Sequence, residues 1–248
     1  MRKLALIILV LFAVLNSFGQ SKSSPLQISH LTGDFYVYRT FNDYQGNKIS
    51  ANALYLVTEN GVVLFDAPWD KTQFLPLLDS IKARHNKEVV MLFATHSHDD
   101  RAGGFDFYKK KGIKTYSIKL TDVILEKKKE PRAEFIISND TTFTVGQHKF
   151  EVYYPGKGHA PDNILVWFDK EKVLYGACFI KSADAENLGY LGDADVKEWQ
   201  KSIKKVQMKF RKPKYIIPGH DDWENIESLN HTLKLVDEYL AQKSTEKK

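Results

Sequence analysis

The 248-residue chain has one cysteine, three methionines and no apolar run long enough to cross a bilayer. Its single cysteine, Cys178, has no internal partner, so a disulfide-stabilised fold is excluded. Charged residues make up 27% and hydrophobic residues 43% of the chain, which excludes wholesale disorder and allows a large core. The formal net charge of +5 is too small a surplus to indicate a nucleic-acid partner.

The first nineteen residues have the pattern of a secretory signal peptide. Arg2 and Lys3 form a basic start, Leu4–Leu15 is apolar, and small residues precede a cleavage site after Gly19. This apolar stretch is shorter than the roughly 20 residues of a transmembrane helix, and no cysteine near the cleavage site indicates a lipoprotein. We therefore expect residues 1–19 to be removed and residues 20–248 to be a periplasmic chain, the alternative being full secretion.

Hydrophobic spacing predicts a chain in which strands come first and strands then alternate with helices. Predicted strands are Phe35–Arg39, Ala53–Val57, Val62–Phe65, Val89–Phe93, Thr142–Val145, His148–Tyr154, Ile164–Phe168, Val173–Gly176 and Tyr215–Pro218. Helical spacing recurs over Phe74–Ile81, Val196–Phe210 and Leu229–Leu240. Two strand-rich halves, each ending in helices, predict one α+β domain over residues 20–248, arranged as a four-layer αββα sandwich.

Three side chains that can bind a metal alternate directly after the predicted strand Val89–Phe93. They are His96, His98 and Asp100. In an extended or tightly turning segment, side chains two residues apart point the same way, so two imidazoles and a carboxylate converge. These are the ligand types that zinc takes in catalytic sites. The alternative interpretation is a polar surface loop with two solvated histidines.

Three further potential ligands also follow apolar segments. His159 follows Phe150–Tyr154, Cys178 follows Val173–Ala177, and His220 follows Tyr215–Gly219. Each alone is equally consistent with a hydrogen-bonded core or loop residue, and Cys178 with a small buried apolar residue. Because strand ends at one edge of a sheet commonly present a functional site, their recurrence predicts one metal centre. The other histidines are expected to be surface or capping groups: His30, His85, His148 and His231.

The order and spacing of these residues resemble the class B metallo-β-lactamases, in particular the two-zinc subclass with one tri-histidine and one Asp-Cys-His site. The resemblance covers essentially the whole mature chain, including Val63–Trp69, Gly158–Asn163 and Cys178–Lys181. It implies the αββα fold of that family. Other hydrolases of this fold usually carry a further His where Arg101 stands and a bridging Asp where Cys178 stands. These two residues therefore favour a lactamase.

The resemblance implies two zinc ions and hydrolysis of a β-lactam amide bond. The expected substrates are penicillins, cephalosporins and, as the family implies, carbapenems; the product is the ring-opened β-amino acid, and the outcome is antibiotic resistance. Asp100 would also orient the attacking water. Lys181 would bind the substrate carboxylate, the alternative being an ordinary surface lysine. The implied ligands are His96, His98 and His159 for the first zinc, and Asp100, Cys178 and His220 for the second.

Further residues match positions around the implied site. Asp66 follows a buried strand, where it would accept hydrogen bonds from a ligand imidazole or nearby backbone, or cap the turn before Pro68. Arg101 would offset the local carboxylates and fix the ligand loop. The segment Thr40–Ile49 resembles the hairpin that closes over substrate in this family. Its expected substrate contacts are Phe41 and Tyr44, with Trp69 as a pocket wall, although all three are equally suited to packing.

Two positions depart from the family pattern. Tyr190 stands where many members have an Asn that helps hold the lactam carbonyl; a phenol has a different reach, and Asn187 lies close by. We expect both residues to contact substrate. Ala160 stands where a Thr commonly follows the third histidine, so the hydrogen bond of that hydroxyl must come from elsewhere or be absent.

Two other functions compete with a β-lactamase. One is a different metallohydrolase of the same fold, such as a lactonase or thioesterase, against which Cys178 and Arg101 count. The other is a non-catalytic metal-binding protein of the cell envelope, which would not need a substrate-binding lysine such as Lys181. We expect a monomer that acts on a small-molecule β-lactam, without nucleic acid and without a stable membrane anchor.

Overall fold

The computed structural model describes residues 26–246, and the predicted signal peptide lies outside them. Within residues 26–246, twelve strands form two sheets. The seven-stranded sheet consists, in spatial order, of β1 Gln27–Thr32, β2 Phe35–Tyr44, β3 Asn47–Thr58, β4 Gly61–Phe65, β5 Val89–Phe93, β6 Lys114–Ile118 and β7 Phe135–Ile137. The five-stranded sheet has the order β12-β11-β10-β9-β8, with β8 Thr141–Val145, β9 His148–Tyr153, β10 Leu165–Phe168, β11 Val173–Ala177 and β12 Tyr215–Pro218.

Six α-helices lie among these strands in the described part of the chain. They are α1 Phe74–His85, α2 Asp99–Ala102, α3 Phe105–Lys110, α4 Lys119–Lys128, α5 Val196–Lys209 and α6 Ser228–Thr245, and a short 3-10 helix spans Lys71–Gln73. Among residues 26–246, no helix is long and apolar enough to cross a membrane.

Three apolar clusters define the layers. The central one joins the two sheets: Phe65 of β4 packs edge-on against Phe150 of β9, with ring centroids 5.2 Å apart. A second cluster packs Leu77 of α1 against the outer face of the seven-stranded sheet. A third packs Trp199 of α5 and Val236 of α6 against the five-stranded sheet. The predicted four-layer αββα arrangement is therefore confirmed.

The hairpin between β2 and β3 is longer than the sequence pattern predicts. The strands pair from Phe35 with Leu56 out to Tyr44 with Asn47, well beyond the predicted strand ends at Arg39 and Ala53. Gln45 and Gly46 form its tip with φ values of 50° and 79°, as two-residue hairpin turns require. Polar residues interrupt the hydrophobic alternation near the tip, namely Asn42, Asp43, Asn47 and Lys48, so the sequence pattern ends early.

The expectation of a surface position for His148 is wrong. Its side chain is buried, and Nε2 lies 2.8 Å from Asp34 Oδ2, with Glu171 on the other side of the ring. The hydrogen bond to Asp34 satisfies Nε2, and the Glu171 carboxylate lies 3.7 Å from Nδ1, so the buried ring has polar neighbours on both sides. His85, as expected, ends helix α1, and its Nε2 lies 3.0 Å from the Tyr55 hydroxyl.

Candidate metal centre

The predicted ligands lie on segments that leave the carboxyl ends of strands from both sheets, all of them on loops except Asp100, which lies in the short helix α2. His96, His98 and Asp100 follow β5 of the seven-stranded sheet. The loops after β9, β11 and β12 carry the other three potential ligands: His159, Cys178 and His220. Backbone hydrogen bonds join the two halves of the molecule here. Ile164 N donates to Thr95 O in the loop after β5 at 2.9 Å, and Asn52 N of β3 donates to Gly219 O in the loop after β12 at 2.8 Å.

The first group of side chains contains three imidazoles. His96 Nε2 lies 3.1 Å from His98 Nδ1, and His159 Nε2 lies 3.2 Å from the same atom. The potential ligand atoms of the three rings are all within 4.8 Å of one another. Burial, followed by the charges of neighbouring groups, lowers the pKa of both His96 and His159 well below the usual range. Both rings are therefore neutral, as metal coordination requires.

The second group is a triangle of unlike ligand atoms. Cys178 Sγ lies 3.3 Å from Asp100 Oδ2 and 3.2 Å from His220 Nε2, and the last two atoms are 3.3 Å apart. By distance alone, His96, Asp100 and Cys178 also form a group within 4.8 Å. We favour His220 as the third member because its Nε2 is in close contact with both Asp100 and Cys178.

Zinc fits both groups by distance and by charge. Two ligand atoms at zinc–ligand distances of about 2.0–2.3 Å in a tetrahedral arrangement are about 3.3–3.8 Å apart, close to the separations in both groups. Burial opposes protonation of His220, but the adjacent Cys178 and Asp100 outweigh it and raise the pKa of His220 to about 9. The second group thus attracts a positive charge, which a metal ion can supply in place of this proton.

Glycine allows the loops to approach each other this closely. A Cβ on Gly219 would lie 2.5 Å from Cys178 N, so any other residue would push the His220 loop away from Cys178. In the His159 loop, the Asn163 side chain accepts from Ala160 N and donates to Gly156 O, both at 3.0 Å. These contacts fix the position of His159 although Ala160 lacks a hydroxyl.

Arg101 lies directly behind the second group and is fully buried. Its Nε lies 3.2 Å from Cys178 Sγ and 3.0 Å from Asp100 Oδ2. Nη1 and Nη2 donate to the backbone oxygens of Asn52 and Gly219, at 2.7 and 2.8 Å. Burial raises the pKa of Asp100, but the Arg101 charge and His220 outweigh it and hold that pKa well below its usual range. Asp100 is therefore ionised.

Asp66 is fully buried and reaches no ligand imidazole directly. Its carboxylate accepts from Thr95 N at 2.6 Å, Thr95 Oγ1 at 2.8 Å and the Tyr175 hydroxyl at 2.6 Å, and Arg101 lies 3.5 Å away. Thr95 Oγ1 is in turn 3.3 Å from His96 Nδ1. Asp66 thus supports the ligand loop through Thr95. The two partners expected for Asp66 were a ligand imidazole and nearby backbone. In the structure the backbone nitrogen of Thr95 contacts the carboxylate, and no ligand imidazole does.

Sequence reasoning missed two groups that contact the outer nitrogens of ligand rings. Asp193 Oδ2 lies 2.9 Å from His98 Nε2, and the Ser50 backbone oxygen accepts from His220 Nδ1 at 2.5 Å. Each contact leaves the opposite ring nitrogen facing the centre, Nδ1 of His98 and Nε2 of His220. Among the described residues, His159 Nδ1 is buried without a hydrogen-bond partner.

Lys181 and Tyr190 lie at the same edge of the site. Lys181 is nearly buried, with Nζ 5.5 Å from the centroid of the Trp199 ring. Burial lowers the pKa of Lys181, whereas Cys178 and Asp100 oppose that change. Tyr190 is half exposed, and its ring meets His98 edge-on at 5.6 Å. Asn187 is exposed, and its Oδ1 accepts from Gly189 N, which leaves the amide nitrogen as a donor.

The expected hairpin contacts reach the site to different degrees. Trp69 packs edge-on against the ligand His220 with ring centroids 5.9 Å apart, so it borders the centre. Tyr44, near the hairpin tip, packs 6.2 Å from Trp69. Phe41 is half-buried on β2. The hairpin is therefore connected to the metal centre through two successive ring contacts, Tyr44 with Trp69 and Trp69 with His220.

Comparison with known proteins agrees with this geometry. A family model described as the metallo-beta-lactamase superfamily matches residues 46–220. The chain is 48% identical over 237 residues to a metallo-beta-lactamase type 2 of Elizabethkingia meningoseptica, covering 96% of this chain and 95% of that protein. It is 46% identical to metallo-beta-lactamase IND-1 of Chryseobacterium indologenes over 206 residues, covering 83% and 86%.

Solved structures show the same relationship. The crystal structure of metallo-beta-lactamase IND-7 superposes with a TM-score of 0.84 at 44% identity, covering 86% of this chain and 99% of that one. The metallo-beta-lactamase from Pontibacter korlensis superposes with a TM-score of 0.83 at 31% identity, covering 86% and 99%. The resemblance and the fold predicted from sequence are thereby confirmed. The chain belongs to the metallo-β-lactamase superfamily and is a zinc-dependent hydrolase.

Proposed function

We propose that this chain hydrolyses the β-lactam amide bond of penicillins, cephalosporins and carbapenems and thereby confers resistance to them. The observation that carries this proposal is the pair of three-residue ligand groups in one cleft, one of which contains Cys178 with Arg101 behind it. A structural zinc site is closed by four protein ligands, whereas a catalytic site with three leaves a position for water or substrate. Two such open sites side by side suit a hydrolase.

We assign the tri-histidine group to one zinc ion and the Asp-Cys-His group to the other. When bound, zinc supplies Lewis acidity, which polarises the amide carbonyl and lowers the pKa of a bound water from ~16 to ~7. Imidazole binds zinc as a neutral ligand, so three histidines leave the first ion its full charge. The carboxylate of Asp100 and the sulfur of Cys178 balance the charge of the second ion.

Asp100 has a second role in this proposal. Its Oδ2 is already in contact with Arg101, Cys178 and His220, which leaves Oδ1 to accept a hydrogen bond from the attacking water. Because the Arg101 charge keeps Asp100 ionised, this oxygen remains an acceptor at neutral pH.

Lys181 binds the carboxylate that β-lactam substrates carry. Within residues 26–246, the Lys181 ammonium forms no ion pair with a carboxylate of the protein. It can therefore pair with the carboxylate of the substrate. Its partial burial strengthens such a pair because little water screens it. Replacing Lys181 by Ala is therefore expected to raise KM much more than it lowers kcat.

The remaining contacts orient the substrate. We propose that Tyr190 and the amide of Asn187 contact the lactam side of the substrate next to His98. Trp69, Tyr44 and Phe41 form an apolar wall on the hairpin side, and closure of the hairpin excludes water from the cleft. The cleft therefore has a charged end at Lys181 and an apolar side at the hairpin.

We further propose that the mature protein, residues 20–248, is a single domain that works as a monomer in the periplasm without a stable anchor. Its amino-terminal charge pattern and apolar stretch support export. Sedimentation of the purified mature chain and analysis of its amino terminus after expression in a Gram-negative host test these expectations.

Turnover of nitrocefin and of a carbapenem by the zinc-loaded chain tests the activity. We expect hydrolysis that EDTA abolishes and added zinc restores. Parallel assays with a lactone and a thioester test the competing hydrolase reactions, and we expect no turnover of either. A folded sample with two bound zinc ions that leaves several β-lactam classes intact would refute the proposal.

A further inference from the structure

Positive charge is concentrated on α5 and the segment that follows it. Residues 197–214 contain eight Lys or Arg and a single Glu, a net charge of +7, whereas the whole chain carries only +5. The other residues together therefore carry −2. All eight basic side chains are exposed. This surface is named the α5 basic face.

Most cations of the α5 basic face are not neutralised by neighbours. Two of the eight pair with carboxylates, Lys201 with Glu198 at 2.6 Å and Lys209 with Glu151 at 2.9 Å. In the part of the chain that the structure describes, the other six form no ion pair. Three of these six line one open depression of about 650 Å³ together with Gln207 and Met208: Lys204, Arg211 and Lys212.

Exposed apolar side chains lie between these cations. Met208 is 65% exposed and Ile226 is 45% exposed. Ile226 lines a neighbouring depression of about 320 Å³, and Gln207 and Lys212 border both depressions. The aromatic side chain in this lining, Phe210, is buried. The surface therefore offers cations and flexible aliphatic groups, but no exposed ring on which a nucleic-acid base can stack.

The depression on the α5 basic face lies away from the metal centre. Trp199, near the beginning of α5, contacts the centre through His159, with ring centroids 6.0 Å apart. Met208 comes nine residues later in sequence, about 14 Å farther along the helix axis at ~1.5 Å per residue. A partner bound to the face therefore leaves the catalytic cleft accessible.

We infer that the α5 basic face binds reversibly to membrane surfaces that contain anionic phospholipids. The headgroup phosphates accept hydrogen bonds from Lys204, Arg211 and Lys212, and Met208 and Ile226 enter the interface between headgroups and acyl chains. Such binding is peripheral and salt-sensitive, and it needs neither a lipid anchor nor a transmembrane helix. Export of the chain, as the amino-terminal segment predicts, would bring it to such a surface.

Co-sedimentation of the zinc-loaded mature chain with vesicles tests this inference. The vesicles are phosphatidylcholine alone, or phosphatidylcholine with one third phosphatidylglycerol, each at low and high salt. We expect binding to the anionic vesicles at low salt only. Replacing Lys204, Arg211 and Lys212 together by Gln should weaken it about 100-fold, since each cation near an anionic surface contributes about a fivefold factor.

A matched control removes three exposed lysines elsewhere, Lys127, Lys128 and Lys129, also by replacement with Gln. This control should bind within about threefold of the wild type, and both triple variants should keep the wild-type turnover of nitrocefin. Equal losses in the two triple variants would show a non-specific effect of net charge and overturn the inference. Absence of binding to anionic vesicles would also overturn it, as would tighter binding to single-stranded RNA than to these vesicles.

Discussion

Replacement of Arg101 by Ala is the sharpest test of how the centre is held together. The guanidinium is fully buried and contacts groups on four separate parts of the chain: Asp100, Cys178 and the backbone oxygens of Asn52 and Gly219. Burial opposes its charge, but Asp100 and the other acidic neighbours outweigh this and raise the pKa of Arg101 well above its usual value. The neighbouring acidic groups therefore compensate the positive charge of Arg101 in its buried position.

The expected cost follows from these contacts. Removing one partner of a buried ion pair leaves the other charge without compensation, which typically costs about 3–5 kcal/mol. The variant also leaves the backbone oxygens of Asn52 and Gly219 without a donor, so we expect the upper end of that range, about 5 kcal/mol. Arg101→Lys keeps the charge but cannot reach all of these acceptors at once, and should lose about 2 kcal/mol.

Urea unfolding of the metal-free protein, followed by circular dichroism, measures both losses. Arg39→Ala is a suitable control, because Arg39 also donates to Asn52 and to a backbone oxygen, but from a partly exposed position. It should cost about 1 kcal/mol. If Arg101→Ala cost no more than Arg39→Ala, the buried guanidinium would not be what compensates the carboxylates. If Arg101→Ala does not fold, the ranking of Arg101→Lys against Arg39→Ala still decides the question.

Three further predictions follow from the site. Cys178→Ser should bind one zinc ion tightly and the second weakly, with turnover reduced at limiting zinc; unchanged zinc stoichiometry and rate would contradict the ligand assignment. Asp193→Ala should weaken zinc binding about 10- to 100-fold in competition with a chelator, because His98 loses its outer contact; an unchanged affinity would remove Asp193 from the site. Burial raises the pKa of Asp66 to about 6, above the ~3.9 of unfolded chains, so its ionisation destabilises the folded state at neutral pH and less so as the pH falls. Relative to Asp66→Asn, metal-free wild-type protein should therefore gain about 1 kcal/mol of unfolding free energy between pH 7 and pH 5, and a constant difference would show that Asp66 is not so perturbed.

The potential ligands were predictable because each one directly follows an apolar strand. Because strand ends of a sheet meet at one edge, the apolar strands before these residues predict side chains that lie close together although they are far apart in sequence. The residues are His96, His159, Cys178 and His220. The division of the six ligands into a tri-histidine group and an Asp-Cys-His group came from the resemblance to the metallo-β-lactamases. The spacing of the residues alone does not provide it. The layer order was predictable for a similar reason, since hydrophobic period distinguishes strands from amphipathic helices.

Other features had no local signal. Strand β6 escaped prediction because its inward-facing Thr115 and Ser117 are buried polar residues, so apolar alternation is missing. Asp193 is 95 residues from His98 and is one of several acidic residues in its loop, so nothing in the sequence distinguishes it. The buried position of His148 depends on Asp34, which lies 114 residues away. Such pairings are decided by tertiary packing and become visible only in the folded chain.

The two ligand groups each combine side chains from both sheets. With the proposed assignment, one ion joins His98 to His159 and the other joins Asp100 to Cys178 and His220, across chain separations of 61, 78 and 120 residues. Cross-links that close loops of this length remove conformational entropy from the unfolded chain, as long-range disulfides do. A chain with a single cysteine has no internal disulfide to perform this task. Bound zinc is therefore expected to stabilise the folded chain as a disulfide would. Loss of zinc would then increase the susceptibility of the protein to proteolysis and also remove its activity.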